Sequence, residues 1–534
     1  MTFEEKIEDM KRVEEIVEEF VKQGFYHVVE HFELVEKLPF ARRILKSVSK
    51  EPTPVRLRKA LEKLGPTFIK LGQALAERPD LIPEEYTEEL EKLEDRVEPI
   101  EAEKIVEVIE DSFGKDLNEL FKEFQEEAVA SASIAQVHKA KLDSGEEVAV
   151  KVMKPGVKEQ IKTDLRIMEF LVKEAEFASS YLRERHIKEI FGQFKNWTLN
   201  ELDLREEGRN ADKFRKNLEN DREVYIPEVY WEQTNEKVLT LEYLDATRIT
   251  NVEELQEEGV DVKKAAENGI RAILKQILRD GFFHADPHPA NILVDKDGTI
   301  NYVDFGIIGK LSPKERRYTA LAMLNAALLD AEGAVKALTK IAARLEDADL
   351  EKFEKDVNKV LMDIEDSAIA DESFANGFMR IVNSALENGV LMPSKFVVAG
   401  KALLTVEGAG LKIHPGFQPR KELKGLIEGI VIKQNSPGSI VKDFVMNLLE
   451  NRDLIDHAPE KIDDALEGMK HLGEKKEDVS VDIDTRKISE AIVAGSLVIG
   501  GLLVYVLSTG RWAQVGGLLA FILGLIIGFL SVKS

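Results

Sequence analysis

The stretch H-A-D-P-H-P-A-N-I-L-V-D-K-D-G-T-I-N-Y-V-D-F-G runs from His284 to Gly306. Asp286 is followed by Asn291 at D-x-x-x-x-N spacing, and Asp304-Phe305-Gly306 closes the stretch. Two carboxylates and a carboxamide in this order suit phosphoryl transfer. That reaction needs charge neutralised on the phosphates, for which Asn291 and Asp304 would hold Mg²⁺. It also needs the acceptor oriented in line, for which Asp286 would take or guide the proton. A second signal is V-A-V-K-V, where Lys151 sits among apolar residues of a strand-like run. A buried ammonium is costly unless an acid pairs with it.

The order and spacing of Asp286, Asn291 and Asp304 match the catalytic loop and metal-binding triplet of kinases. In that frame Lys151 would bind the α- and β-phosphates of a nucleotide and pair with a helix glutamate. Upstream lies Ala130-Ser131-Ala132-Ser133-Ile134-Ala135-Gln136-Val137. Glycine at 130, 132 and 135 would make this the G-x-G-x-x-G-x-V loop that covers phosphates. Alanine there removes backbone freedom, so the loop should be stiffer. Val137 precedes Lys151 by the interval expected of a loop and hairpin leading to its strand. The acid for Lys151 should come from N-E-L-D-L-R-E-E-G-R-N, which offers Glu201, Asp203, Glu206 and Glu207. Helical spacing puts Asp203 and Glu207 on one face and turns Glu201 away from Glu207. Periodicity alone does not choose between these acids. Lys70 and Gln73 lie one turn apart among Phe68, Ile69, Leu71 and Leu75. Polar groups in so apolar a segment need partners if buried, though solvent-facing side chains are the default.

These residues need elements to hold them. Residues 1–50 read as amphipathic helix, with Phe3, Ile7, Met10, Val13, Val17, Phe20 and Val21 on a stripe that would pack into a core. Residues 51–125 read as helical, punctuated by Pro66, Pro79, Pro83 and Pro99. A-S-I-A-Q-V-H-K-A-K-L, a turn at D-S-G-E-E, and V-A-V-K-V-M predict a hairpin and a third strand. K-V-L-T-L-E-Y-L is a further strand, and the segment ending at Gly281 a helix. N-I-L-V-D, the K-D-G-T turn and I-N-Y-V-D-F-G predict a second hairpin. Helical patterning returns to about 470, and no solenoid repeat is present.

The chain has 534 residues, no cysteine, and a formal net charge of -25. Disulfides, thiolate zinc sites and cysteine nucleophiles are therefore excluded. A surface this acidic disfavours nucleic acid. The acidic start predicts no secretory or transit leader. The two uncharged runs Ala491–Leu507 and Val515–Val532 predict a membrane hairpin, with Gly524-x-x-x-Gly528 allowing close helix contact. Arg486, Lys487 and Lys533 flank the hairpin and only Arg511 lies in its turn, which places both ends and the catalytic body on the cytoplasmic face.

Taken together, Lys70-x-Gly72-Gln73, the alanine-rich loop, Lys151, Glu201-x-Asp203, Asp286 with Asn291, and the triplet at 304–306 resemble the atypical kinases called the ABC1, ADCK or UbiB family. The resemblance runs from about residue 50 to beyond 310 and implies an α+β, two-lobed protein-kinase-like fold with helical extensions at both ends and a C-terminal transmembrane helical hairpin. The implied divisions are N-terminal helices (1–50), a helical extension bearing Lys70 and Gln73 (51–125), an N-lobe (126–245), a C-lobe with helical extension (246–470), a linker (471–488) and the hairpin (489–534). The resemblance further implies that Lys70 and Gln73 pack where a kinase would take a peptide, with Glu201 and Asp203 facing them near the nucleotide. It assigns Glu207 to Lys151, the catalytic aspartate to Asp286, the Mg²⁺ ligands to Asn291 and Asp304, and the adenine-binding hinge to Glu242, Tyr243 and Leu244. Ala130, Ser131, Ala132, Ser133, Ala135 and Val137 would line ATP or ADP, and Ser131 departs from the family's alanine, adding a hydroxyl for a phosphate. The implied activity is that of a membrane-anchored ATPase or small-molecule kinase supporting isoprenoid-quinone or other prenyl-lipid biosynthesis, alongside membrane biosynthetic enzymes. The alternatives are a nucleotide-binding scaffold for such enzymes, or a protein kinase. The absence of an A-P-E segment after Gly306 weighs against the last.

Overall fold

The computed structural model describes residues 3–25, 51–76, 82–93, 98–178, 187–345, 348–366, 374–417 and 427. The chain divides into two compact units, Met1–Ile440 and Val441–Ser534, and every described residue belongs to the first. The expected membrane hairpin and its linker lie outside the described residues. Among the described residues no helix is long and apolar enough to cross a membrane.

Helix α1 (Phe3–Lys22) buries Ile16, Val17 and Val21. Met10, placed on that stripe by the sequence, is 72% exposed instead, while Val13 and Phe20 pack against the core. Helices α2 (Thr53–Leu64) and α3 (Pro66–Ala76) follow, turning at Gly65, whose φ of 94° suits glycine. Leu61, Leu64, Phe68 and Ile69 join Ile16 in one core.

Helix α4 (Ala102–Phe113) leads to β1 (Glu123–Ser131), β2 (Ala135–Lys141) and β3 (Glu147–Met153). With β4 (Val224–Tyr225) set aside in another sheet, β5 (Val238–Glu242) completes an antiparallel sheet in the order β1-β2-β3-β5. Strand alternation explains its role. Val148, Val150 and Val152 are fully buried in a second core with Ile105 and Ile109 of α4. Lys151 therefore points to the opposite face. Helices α5 (Val157–Ala178), α6 (Ile187–Asn200) and α7 (Leu204–Leu218) come next. A β-carbon on Gly208 would stand 3.1 Å from Trp231 and 3.2 Å from Leu239, so glycine there lets α7 approach β5 closely.

The second lobe holds a sheet in the order β4-β9-β8-β6, with β6 (Thr247–Arg248), and, beyond β7 (Phe282–His284), β8 (Ile292–Val294) and β9 (Ile300–Tyr302). β8 and β9 are the expected hairpin, and β10 (Ile308–Lys310) pairs with β7. Helix α8 (Val262–Leu274) passes into a π-helical turn, Lys275–Asp280, and stops at Gly281 in the left-handed region, φ 61°. The sequence placed that stop but read the last turn as ordinary α-helix. Helices α9 (Pro313–Ala327), α10 (Ala331–Leu338), α11 (Leu350–Asp366), α12 (Phe374–Glu387) and α13 (Ser394–Ile413) form the helical C-terminal part, with a short pair of β11 (Ala343–Arg344) and β12 (Val390–Leu391). A reciprocal capping box of Ser312 and Glu315 starts α9. Lys401 on α13 donates to the Ala76 carbonyl at the end of α3, 3.3 Å away.

Candidate active site

Lys151 Nζ lies 2.7 Å and 2.8 Å from the two carboxylate oxygens of Glu207, and 3.1 Å from Asp304 Oδ2. Glu207 comes from the buried face of α7 and Asp304 from the segment after β9. Of the four acids left open by periodicity, Glu207 is thus the partner of Lys151. The reason is that α7 begins only at Leu204. Asp203 is its N-cap, accepting from the Arg205 amide at 3.1 Å, and Glu206 pairs with Arg209 on the outer face. Arg205 also grips the Asp203 carboxylate at 2.8 Å and 2.7 Å, which holds its pKa below the usual range.

Burial works against charge on Lys151, but Asp304 and Glu207 outweigh it and raise the lysine pKa. Burial likewise opposes ionisation of Asp304. The Lys151 charge and the Gly306 amide, 2.9 Å from Oδ1, prevail and hold it at about 2. For Glu207 burial wins over Lys151 and pushes the pKa up. One ammonium therefore faces two carboxylates.

The Asp304-Phe305-Gly306 triplet is fixed from several sides. The Glu207 carboxylate accepts from the Phe305 amide at 3.3 Å, and the Asn210 amide donates to the Phe305 carbonyl at 3.0 Å. Asn210 was not singled out from sequence, although it lies one turn beyond Glu207 on the same face of α7. The Phe305 ring is fully buried, with Phe214 at 5.7 Å between centroids. His284 Nε2 donates to the Asp304 carbonyl at 2.6 Å, which fixes the ring's tautomer since a carbonyl only accepts. Burial depresses the His284 pKa, keeping the ring neutral.

Asp286 lies two residues beyond His284 and is exposed. Its carbonyl accepts from the His288 amide at 2.8 Å. A 3₁₀ turn, Pro289–Asn291, then carries Asn291, whose carbonyl accepts from the Val303 amide at 3.2 Å. Asn291 is thereby brought beside the residue preceding Asp304. Among the described residues no three His, Cys, Asp or Glu side chains gather as a metal cluster. Mg²⁺ does not ask for one, since it takes one or two hard oxygen ligands from protein and the rest from phosphate and water. The Asn291 and Asp304 donors fit that pattern.

The alanine-rich loop is a tight hairpin. Ala130 pairs with Val137, Ser131 with Gln136, and the Ala132 amide donates to the Ala135 carbonyl at 2.8 Å. Its tip is turned into the protein: Ser133, Ile134 and Ala135 are buried, and the Ile134 carbonyl accepts from the Lys154 amide at 2.8 Å. Among the described residues only Leu329 is a non-glycine with positive φ, so alanine sits in the loop without backbone strain. Ser131 Oγ is buried without a hydrogen-bond partner. Val137 stands directly opposite Lys151.

At the end of β5, Glu242 accepts from the Tyr225 hydroxyl at 2.6 Å and the Glu228 amide at 3.2 Å. Burial and the Glu242 contact push the Tyr225 pKa up to about 12. The Tyr243 amide donates to the Glu147 carbonyl at 3.0 Å, and Leu244 follows beyond the strand.

Lys70 is buried, not solvent-facing, and forms an ion pair with Glu201 at the end of α6. Its ammonium also lies 5.3 Å from the Trp197 ring centroid. Gln73 donates weakly to the Leu93 carbonyl at 3.4 Å. The structure thus joins Lys151, Glu207 and Asp304 directly, and joins Lys70 to Glu201 as a second pair.

The sequence matches a known family. The ABC1 atypical kinase-like domain matches residues 92–338, a range that holds Lys151, Glu207, Asp286, Asn291 and Asp304. A probable protein kinase UbiB of Azotobacter vinelandii is 34% identical over 400 residues, covering 74% of this chain and 74% of that protein. A probable protein kinase UbiB of Pseudomonas entomophila is 35% identical over 425 residues, covering 77% of each. Among solved structures, a Mycobacterium tuberculosis protein in complex with erythromycin is 21% identical, with a TM-score of 0.49 over 75% of this chain and 98% of that one. The identity and coverage of the UbiB relatives settle the kinship: this chain belongs to the ABC1/UbiB family of atypical kinases.

Proposed function

We propose that this protein is a membrane-anchored, Mg²⁺-dependent ATPase or small-molecule phosphotransferase that serves prenyl-lipid metabolism, isoprenoid-quinone synthesis in particular. The observation that carries the reading is the ammonium of Lys151 held between Glu207 and Asp304. Asn291 and Asp304 would hold Mg²⁺, which would supply charge neutralisation for the phosphates. The chain's own side chains do the rest. Lys151, kept charged and fixed by Glu207, presents its ammonium to the α- and β-phosphates. Asp286, exposed beyond the His284 strand, accepts the proton of the attacking oxygen. Glu242, Tyr243 and Leu244 take the adenine edge, and Ala130 to Val137 limit how closely the phosphates approach. By the family resemblance, the helix bearing Lys70 and Gln73 would stand where a kinase takes a peptide, which favours a small or lipid acceptor over a protein. The uncharged runs at 491–507 and 515–532 are the proposed tether to the cell membrane, the catalytic body being cytoplasmic.

A nucleotide-binding scaffold for membrane enzymes is the second reading. The inward-turned tip of the alanine-rich loop favours it, because a loop locked in the core cannot close down on the phosphates.

Hydrolysis of ATP by the full chain, with and without liposomes and Mg²⁺, separates the two. The enzyme reading expects Mg²⁺-dependent hydrolysis that Asp304→Asn lowers at least about a hundredfold, the scale at which electrostatic groups act. It also expects liposome stimulation that deletion of residues 489–534 removes. Nucleotide binding without turnover in the wild type would leave the scaffold standing. Transfer to added proteins as fast as hydrolysis would indicate a protein kinase.

A further inference from the structure

We propose that Asp164 is a positioning residue: it sets where Lys70 lies and couples the N-terminal helix to the site. This rests on the functional reading above only in giving Lys70 a role.

Asp164 sits on α5 and is fully buried. Its carboxylate accepts from Arg12 Nε at 2.7 Å, from a second Arg12 nitrogen at 3.2 Å, and from the Thr67 hydroxyl at 2.7 Å. Arg12 belongs to α1, and the same guanidinium donates to the carbonyl of Leu64, the last residue of α2. Thr67 is itself fully buried and stands in the first turn of α3. One carboxylate thus ties α1, the end of α2 and the start of α3 to α5. No residue of α1 or α5 described above touches the nucleotide residues, so this carboxylate is outside the site already described.

The linkage to Lys70 is short. Thr67 and Lys70 are three residues apart on α3 and therefore neighbours on one helix face. Gly65 and Pro66 make the corner before α3, and beside the core packing of Phe68 and Ile69 the Thr67 bond fixes its first turn to α5. At its other end Lys401 holds the Ala76 carbonyl. Between these two ties Lys70 is delivered to Glu201 and Trp197. Loss of the Asp164 charge leaves the half-buried Arg12 with only Glu15 and the Leu64 carbonyl, neither of them on α5, and so loosens the tie of α1 and α3 to α5.

The test labels lysines in the full-length protein with a small amine-acylating reagent and reads each site by mass spectrometry. Asp164→Asn keeps an acceptor for Thr67 but drops the charge that holds Arg12. Thr67→Val removes only the hydroxyl, and Thr67→Ser restores it. Both disrupting variants should raise labelling of Lys70 by at least about fivefold, as expected when a local contact opens, while Thr67→Ser stays near wild type. Lys275, paired with Asp221 and Glu223 in the other lobe, is the control and should not change. A parallel rise at Lys275 would mean general loosening, and unchanged Lys70 labelling in a folded Thr67→Val would mean no positioning role; either overturns the proposal. The readout needs no ATP, so a protein without hydrolytic activity would defeat the functional reading and leave this one to stand or fall on the labelling.

Discussion

Lys151 Nζ touches Glu207 and Asp304 at once, and the protonation of Asp304 has a definite consequence for stability. Its pKa is held at about 2, below the ordinary carboxylate range, so the folded state favours its ionised form. The resulting stabilisation is full above that ordinary range and is lost as the pH falls through it toward about 2. Urea unfolding of the wild type and Asp304→Asn should therefore show a gap at neutral pH that narrows across this acid window. A gap that widens on acidification would contradict the assigned charge state. Lys151 and Asp304, which the structure brings together, were legible in the sequence because their chemistry is tied to fixed spacing. The glutamate partner of Lys151 came only from the family resemblance, because periodicity treats 201–210 as one helix. In fact a helix ends at Asn200, Asp203 caps the next, and only from Leu204 does helical phase apply. Asp164 escaped notice for a different reason: a lone acid in a charged amphipathic segment gives no sign that its partners come from Arg12 and Thr67.

At the scale of elements, α3 shows how a motif's glycine is set by packing. A β-carbon on Gly72 would run into the side chains of Leu93 and Leu61, both buried. Alanine gains about 1 kcal/mol of helix propensity there. It loses roughly 1–3 kcal/mol to overpacking. Gly72→Ala should be destabilising by roughly 1 kcal/mol in chemical unfolding, the overpacking term being the larger one. A stabilised variant would show that the leucines yield without cost. Strand alternation made β3 and the direction of Lys151 readable, since three valines on one face leave the lysine on the other. The helix bearing Lys70 was less readable. Its burial depends on α2, α6 and the segment at 82–93, none of which is signalled by the spacing of Lys70 and Gln73. The inward turn of the alanine-rich loop was also hidden, because it rests on a backbone contact from Ile134 to Lys154 rather than on any side-chain pattern.

For the whole molecule, the kinase-like order of elements followed from motif order, and the UbiB relatives establish the family. The two sheets, the helix α7 against β5 and the β7–β10 pair bring residues from distant parts of the chain to one ammonium. On the proposed function, that convergence serves a cation and an anionic ligand together. Calorimetric titration of the full chain with ATP, with and without Mg²⁺, tests this most directly, alongside Asp304→Asn. The account predicts that Mg²⁺ tightens ATP binding at least about tenfold in the wild type, worth ~1.4 kcal/mol, and that Asp304→Asn abolishes that gain. Equal ATP affinity with and without Mg²⁺ in the wild type, or an undiminished Mg²⁺ effect in Asp304→Asn, would contradict it.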